Sequence, residues 1–186
     1  MTKTDAPAAV QSSSRFDGFE ALDACHAETL RMLEQLATLA AGLGDGGADE
    51  RARRLATLIN EHFSVTMREH HEDEERHVFP PLAATADAAT AHAVDCLVQD
   101  HAWIETDWRE LAPLLDAIAN GQSWVDLDAL RQGVEVFTAL CRDHIALEES
   151  VIYPRALAQL ERSGHEPMNR EMALRRQGRL QQRERG

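Results

Sequence analysis

Basic charge is scarce in this 186-residue chain: 19 Lys and Arg stand against 32 Asp and Glu, a formal net charge of −13. So acidic a chain has no general attraction for nucleic-acid phosphates or anionic lipid, and neither DNA nor a membrane surface is an expected partner. Long apolar runs are missing too. No stretch approaches the roughly eighteen uninterrupted apolar residues of a transmembrane helix. The opening MTKTDAPAAVQSSSR has no apolar core after a basic segment, so no signal peptide is read and a cytoplasmic location is expected. Cysteine is limited to Cys25, Cys96 and Cys141, an odd and widely spaced set without CxxC. That fits reduced thiols better than a disulfide framework or a thiolate zinc site. Aromatics make up 5% of the residues and no alternating strand pattern is found, which leaves one soluble, helical domain with some tail.

What the chain has in quantity is histidine, nine residues among those 32 carboxylates, a large supply of hard and borderline metal ligands. Residues 1 to 15 are small, polar and aperiodic and read as a disordered lead-in. From Phe16 a helical stripe of Leu22, His26, Thr29, Leu33, Leu36 and Ala40 runs to the glycine-rich AGLGDGG. A second stripe begins near Asp49, a plausible N-cap, and carries Leu55, Ile59, His62, Phe63, Thr66, Met67, His70, Glu74 and His77 until Pro80-Pro81 is expected to end it. The third holds Val94, Leu97, His101, Ile104, Glu105, Trp108, Leu111 and Leu115, with Pro113 expected to kink or break it. Asn120-Gly121 makes a turn, and Ser123 with Asp126 resembles a capping pair. The fourth stripe, Leu127, Leu130, Val134, Phe137, Cys141, His144, Glu148 and Val151, then runs to Pro154 or beyond it. Four amphipathic helices on short connectors predict an all-α, antiparallel up-down four-helix bundle over 16–160. The tail, 161–186, is arginine-rich and is expected to be solvated, as charge runs usually are.

Two segments align without a gap: His70-x-x-x-Glu74-Glu75-x-x-Val78-Phe79-Pro80 and His144-x-x-x-Glu148-Glu149-x-x-Ile152-Tyr153-Pro154, offset by 74 residues. His26 lies 44 residues before His70, and His101 lies 43 before His144, so the chain reads as a duplicated helical hairpin. Residues four apart share a helix face, so each His-x-x-x-Glu projects an imidazole and a carboxylate toward the core. The pseudo-symmetry predicts that His26, His70, Glu74, His101, His144 and Glu148 converge. One core histidine is usually structural. Four histidines and two glutamates in one layer without a cation would each cost on the order of a few kcal/mol. Imidazole plus carboxylate without thiolate suits iron, manganese or zinc, and two carboxylates capable of bridging suit a pair of ions.

The register also sets residues aside. His71 has the same spacing to Glu75, but Ile145 stands at the matching place in the second copy. His62 and His77 read as core-edge or supporting residues, His92 and His165 have no register relation to the site, and Cys141 reads as a small buried hydrophobe. Met67, Phe63, Ile104, Trp108, Phe137 and Leu147 are expected in the core.

These residues resemble the hemerythrin-like, or HHE cation-binding, family. The likeness rests on His26, His70-x-x-x-Glu74, His101, His144-x-x-x-Glu148 and the Phe-Pro and Tyr-Pro endings, over about 16–160. The resemblance implies a four-helix bundle holding two non-haem irons, oxo- or hydroxo-bridged. One iron would be held by His101 and His144, the other by His26 and His70, with Glu74 and Glu148 bridging. Oxygen-carrying members have a second histidine one turn after the third-helix one, where this chain has Glu105. A carboxylate on the metals there would favour the ferric state over reversible oxygen carriage. Glu105 is therefore an expected further contact. The expected function is reaction with O2, peroxide or nitric oxide, with peroxide decomposition as one form of it. An iron- or oxygen-sensing module without turnover is the alternative, and a structural zinc or metal-free bundle ranks last.

Overall fold

The computed structural model describes residues 17–44, 46–85, 87–122, 124–164 and 166–183. The expected lead-in, Phe16, Ser123 and His165 lie outside them. All the regular structure among the described residues is helical, in five long helices rather than four. The first is Gly18–Gly42, capped by Asp17, whose carboxylate accepts from the N–H groups of Phe19 and Glu20. The second occupies 50–85 and is capped by Asp49, as its sequence predicts. It is α-helical over Glu50–Glu61, Met67–Asp73 and Phe79–Thr85, joined by π turns at His62–Thr66 and Glu74–Val78. The third, Ala88–Ala119, starts on Asp87. After the turn in which Gly121 takes φ +70°, Asp126 itself caps the fourth helix. That helix fills 127–163, α-helical over Leu127–Leu147 and Tyr153–Ser163 with a π turn at Glu148–Ile152 between. The fifth is Glu166–Arg183.

The expected helix end at Pro80-Pro81 is corrected. Pro80-Pro81 does not end the second helix, because the π turn just before it loosens the backbone where the proline ring would press on the carbonyl four residues back. Pro154 follows an identical turn in the fourth helix. Pro113 lies inside a helix that is not interrupted.

The first helix packs on the second and fourth, and the third packs on the same two, so the helices close a ring around the core. That core is divided. One apolar cluster contains Leu33, Ile59, Met67, Ile104, Phe137 and Cys141, and the other contains Leu22, Val78, Phe79, Leu97, Ile152 and Tyr153. On each of these four helices the boundary between the clusters falls at a histidine, so a polar layer crosses the molecule between two dry ones.

The tail is not solvated as expected. Met168 and Met172 are buried against Phe19 and Leu22, and the Gly18 N–H donates to Asn169 Oδ1 at 2.8 Å. A Cβ at Gly18 would sit 2.8 Å from both methionines, so glycine permits the approach. Arg175 hydrogen-bonds Asp73, a fully buried carboxylate, and Arg176 Nη2 lies 3.5 Å from its other oxygen. Net charge suggested solvation, but two methionines one turn apart and arginines matched to a buried acid decide the outcome. Arg175→Met leaves Asp73 short of its main counter-charge and is expected to lower the unfolding free energy by about 3 kcal/mol. Adding Asp73→Leu should recover most of that loss. Denaturant midpoints of the two variants check it.

Candidate metal centre

The polar layer takes one contribution from each of the first four helices. His26 lies between Leu22 and Leu33 on the first, and His101 between Leu97 and Ile104 on the third. The second supplies His70 and Glu74, the fourth His144 and Glu148, each pair one turn apart. The six side chains expected to converge are brought together, all buried, with Glu74 and Glu148 fully so.

His26 Nε2 lies 3.2 Å from Glu148 Oε2 and 4.0 Å from Glu74 Oε1. His70 Nε2 and His101 Nε2 approach Glu74 Oε2 at 3.4 and 3.5 Å, and His144 Nε2 lies 3.3 Å from Glu148 Oε2. The groups form two donor sets, His26, His70, Glu74 and Glu148, and Glu74, His101, His144 and Glu148, each with its donor atoms within 4.8 Å of one another. Both glutamates belong to both sets.

The electrostatics and hydrogen bonding fit cations. Both ring nitrogens of His70 and His144, His101 Nε2, Glu74 Oε2 and both Glu148 oxygens are buried without a hydrogen-bond partner. So many inward lone pairs would be costly unless a cation takes them. Without metal the charges settle unevenly. Burial and the Glu148 charge raise Glu74 to about 8. Burial pushes Glu148 upward too, but the imidazoles of His101, His144 and His26 that face it outweigh this and hold the carboxyl well below the usual range. Burial also opposes charge on His101, yet Glu148, Glu74 and Glu75 raise it to about 11. Burial lowers His70 well below its ordinary value. A pair of bound divalent ions would take over the charge balance that protonated imidazoles otherwise supply.

Three participants were missed in the sequence. His101 Nδ1–H donates to Glu75 Oε1 at 2.8 Å, and His26 Nδ1–H donates to Glu149 Oε1 at 3.2 Å. These are the second glutamates of the Glu-Glu pairs in the repeat, each holding the lone histidine of the other hairpin so that its Nε2 faces inward. The signal was present: both copies repeat Glu-Glu, and only the first of each pair is needed on the core face. The third is Tyr153. Its hydroxyl donates to Glu74 Oε1 at 2.5 Å and lies 3.3 Å from His26 Nε2, with its ring stacked on that imidazole at 5.1 Å. The π turn after Glu148 supplies the extra residue that brings position 153 inward. Phe79 does the same against His101 at 5.6 Å, without a hydroxyl.

The corresponding turn after Glu74 removes His77 from the stripe. Position 77 turns outward to pair with Glu171 at 2.5 Å, while Val78 and Phe79 go inside. His92 lies 3.8 Å from Cys96 Sγ, away from the layer, and Cys141 is buried in the apolar cluster. His62 is buried with Nε2 2.9 Å from Thr29 Oγ1, and burial lowers it to about 4. Below pH 6.5 the unfolded chain binds a proton that folded His62 refuses, so its contribution is full above about 6.5 and is lost as pH falls toward 4. His62→Gln should flatten that part of the stability profile by about 3 kcal/mol, as measured by denaturation across pH 4 to 6.5.

Glu105 is corrected. Ile104 and Trp108 occupy the inward face of the third helix at this level, and Glu105 is turned aside, 53% exposed, with its carboxylate 3.4 Å from Arg109. It joins neither donor set, and the charge argument built on it lapses. It lines a cavity of about 340 Å3 together with Phe63, Met67, Trp108, Phe137, His101 and His71. His71, set aside by the register, is buried, and its ring stacks on His101 at 3.8 Å.

The model of the hemerythrin HHE cation-binding domain matches residues 17–156, a span containing every residue of the layer. An uncharacterized protein of Haemophilus influenzae is 31% identical over 130 residues, covering 70% of this chain and 73% of the relative. No helix among the described residues is long and apolar enough to cross a membrane.

Proposed function

Because this chain belongs to the hemerythrin HHE cation-binding family, we propose that it is a non-haem di-iron protein that reacts with O2, peroxide or nitric oxide in the cytoplasm. Its first four helices would act as an antiparallel up-down bundle around the irons. What supports a pair rather than a single ion is the overlap of the two donor sets, each with two imidazoles and both sharing Glu74 and Glu148. Imidazole and carboxylate donors without thiolate suit iron, with manganese and zinc as competitors. Two bound irons would supply electrons and a place for a small oxidant. Peroxide decomposition is the preferred reaction, since two H2O2 give two H2O and one O2 with no external electron donor.

The protein's own residues contribute orientation, charge and dryness. Glu75 and Glu149 aim His101 and His26. Tyr153 holds Glu74 by its hydroxyl and is the buried O–H group nearest the layer, placed to deliver or receive a proton at Glu74 Oε1. Phe63, Met67, Ile104, Trp108 and Phe137 form apolar walls that keep bulk water from the donors while leaving a passage for a small molecule.

The test is metal analysis of purified protein with optical spectra before and after peroxide or dithionite. Two irons per chain with rapid peroxide loss support the reading, and zinc alone would replace it with a structural bundle. One observation favours a sensing alternative: the fifth helix is tied through Arg175 to Asp73, the residue beside Glu74, so a change of charge at the irons would be felt at the tail. Stable redox cycling without peroxide turnover would select that alternative.

A further inference from the structure

Glu105 joins no donor set, but it lines a cavity that is larger than the small oxidants require. The cavity measures about 340 Å3. A water molecule takes roughly 30 Å3, so the space accommodates roughly ten groups of that size and falls in the class of pockets that hold organic molecules. Its lining divides by exposure. Phe63, Met67, Ile104, Trp108 and Phe137 are buried, three of them aromatic in a chain with 5% aromatic residues. The indole N–H of Trp108 donates to Ser64 Oγ at 2.9 Å, so this residue offers the cavity a ring and no donor. The rings of His71 and His101, stacked at 3.8 Å, line the same space. The charged lining residues are all exposed, and they are Glu72, Glu75 and Glu105 against Arg68. Arg175 lies 3.8 Å from Glu72 Oε2, Arg109 lies 3.4 Å from Glu105 Oε1, and His101 Nδ1–H donates to Glu75 Oε1. Each of these contacts uses one oxygen, and a carboxylate has about four lone-pair sites, so all three glutamates can still accept from a ligand.

We propose that this cavity is a binding site for an arylalkylamine, a small organic cation whose ring packs among the buried aromatic walls and whose ammonium is held by the exposed carboxylates. A flat ring suits walls that are themselves rings, against which it can pack offset or edge-on. A cation beside those rings gains from their faces as well as from the glutamates. An anion of the same shape would be opposed by the three carboxylates and by the net charge of −13. The inference is independent of which ions the polar layer holds. His101 belongs to both the cavity and a donor set, so the amine would bind beside the candidate metal centre.

Three indole probes that differ chiefly in the end group of a short side chain test this by calorimetry: tryptamine, tryptophol and indole-3-propionate. Tryptamine should bind one per chain, with a dissociation constant of about 1 mM or below. Tryptophol should bind about fivefold more weakly, and indole-3-propionate more than about tenfold more weakly. In the double variant Glu72→Gln/Glu105→Gln, tryptamine should fall to the affinity of tryptophol while tryptophol is unchanged. Ala102→Trp adds a ring to the lining from an exposed helix position and should abolish binding of all three probes. Its melting curve shows whether the fold is kept, and if it is not, the double variant on the exposed carboxylates decides. Absence of saturable tryptamine binding would overturn the proposal. So would indole-3-propionate or tryptophol bound as tightly as tryptamine, or a folded Ala102→Trp protein with unchanged tryptamine affinity, which would place binding elsewhere. None of these outcomes bears on metal content, so the di-iron reading stands or falls separately.

Discussion

Glu148→Ala is expected to remove both irons at once, with metal content per chain falling from two to near zero. The carboxylate belongs to both donor sets and stands 3.2 Å from His26, 3.3 Å from His144 and 3.8 Å from His101. Its loss should therefore strip both positions, whereas His70→Ala or His144→Ala removes one imidazole from one set and should weaken mainly one ion. Metal binding and folding are linked, because bound cations would take up buried donor atoms that otherwise have no hydrogen-bond partner in a dry interior. At an iron concentration about a thousand times the dissociation constant, linkage stabilises the wild-type fold by about 4 kcal/mol. For a chain of this size that corresponds to a rise in melting temperature of about 8 to 16 °C. Glu148→Ala should show no such rise, and the single-histidine variants should show a reduced one. Melting curves with and without iron, read beside metal analysis, give both numbers from one preparation. A Glu148→Ala protein that keeps two irons and the full thermal shift would mean that the repeat register assigns the wrong carboxylates.

The donor positions were legible because a repeat states them twice: a 3.6-residue period places position 70 above 74 and 144 above 148, and duplication removes the ambiguity of a single match. One helix start was equally plain, since Asp49 is an acidic cap before an apolar stripe; Asp17 was not read as a cap, and Asp126, read as the partner of Ser123, is the cap itself. Periodicity failed where the backbone departs from 3.6. The π turns at Glu74–Val78 and Glu148–Ile152 each add a residue, which turned His77 out, drew Tyr153 in and carried the helices past their prolines. No run of residue types announces a π turn, although proline at the same place in both copies was a hint that something must absorb it. Glu105 failed for a different reason. It was placed on the core stripe one turn after His101 and by likeness to a ligand of other family members, and the competition for that level, won by Ile104 and Trp108, is a matter of packing. The fifth helix was missed because a count of arginines does not reveal a buried acid waiting on another helix.

Glu75 and Glu149 give the sharpest contrast between two kinds of role, since both are about half exposed and each touches the layer through one hydrogen bond to an imidazole Nδ1. As surface ion pairs they would be worth at most about 1 kcal/mol of stability, and their removal would pass unnoticed at the irons. As groups that fix a ligating imidazole they should matter far more to the metal than to the fold, because a ring free to turn no longer presents Nε2 at the required angle. The His101 hydrogen bond holds Glu75 below the ordinary carboxylate range, which agrees with that role. Glu75→Ala is expected to weaken retention of the ion bound by His101, and Glu149→Ala that of the ion bound by His26, each by about 10- to 100-fold. Metal-free melting should move little in either. The two sites act on different rings, so losses in the double variant should combine close to multiplicatively. Chelator competition resolved by Mössbauer spectroscopy assigns each loss to its iron. If the variants instead lose metal-free stability while both irons hold as before, the paired glutamates are surface ion pairs and the repeat of Glu-Glu has no bearing on the centre.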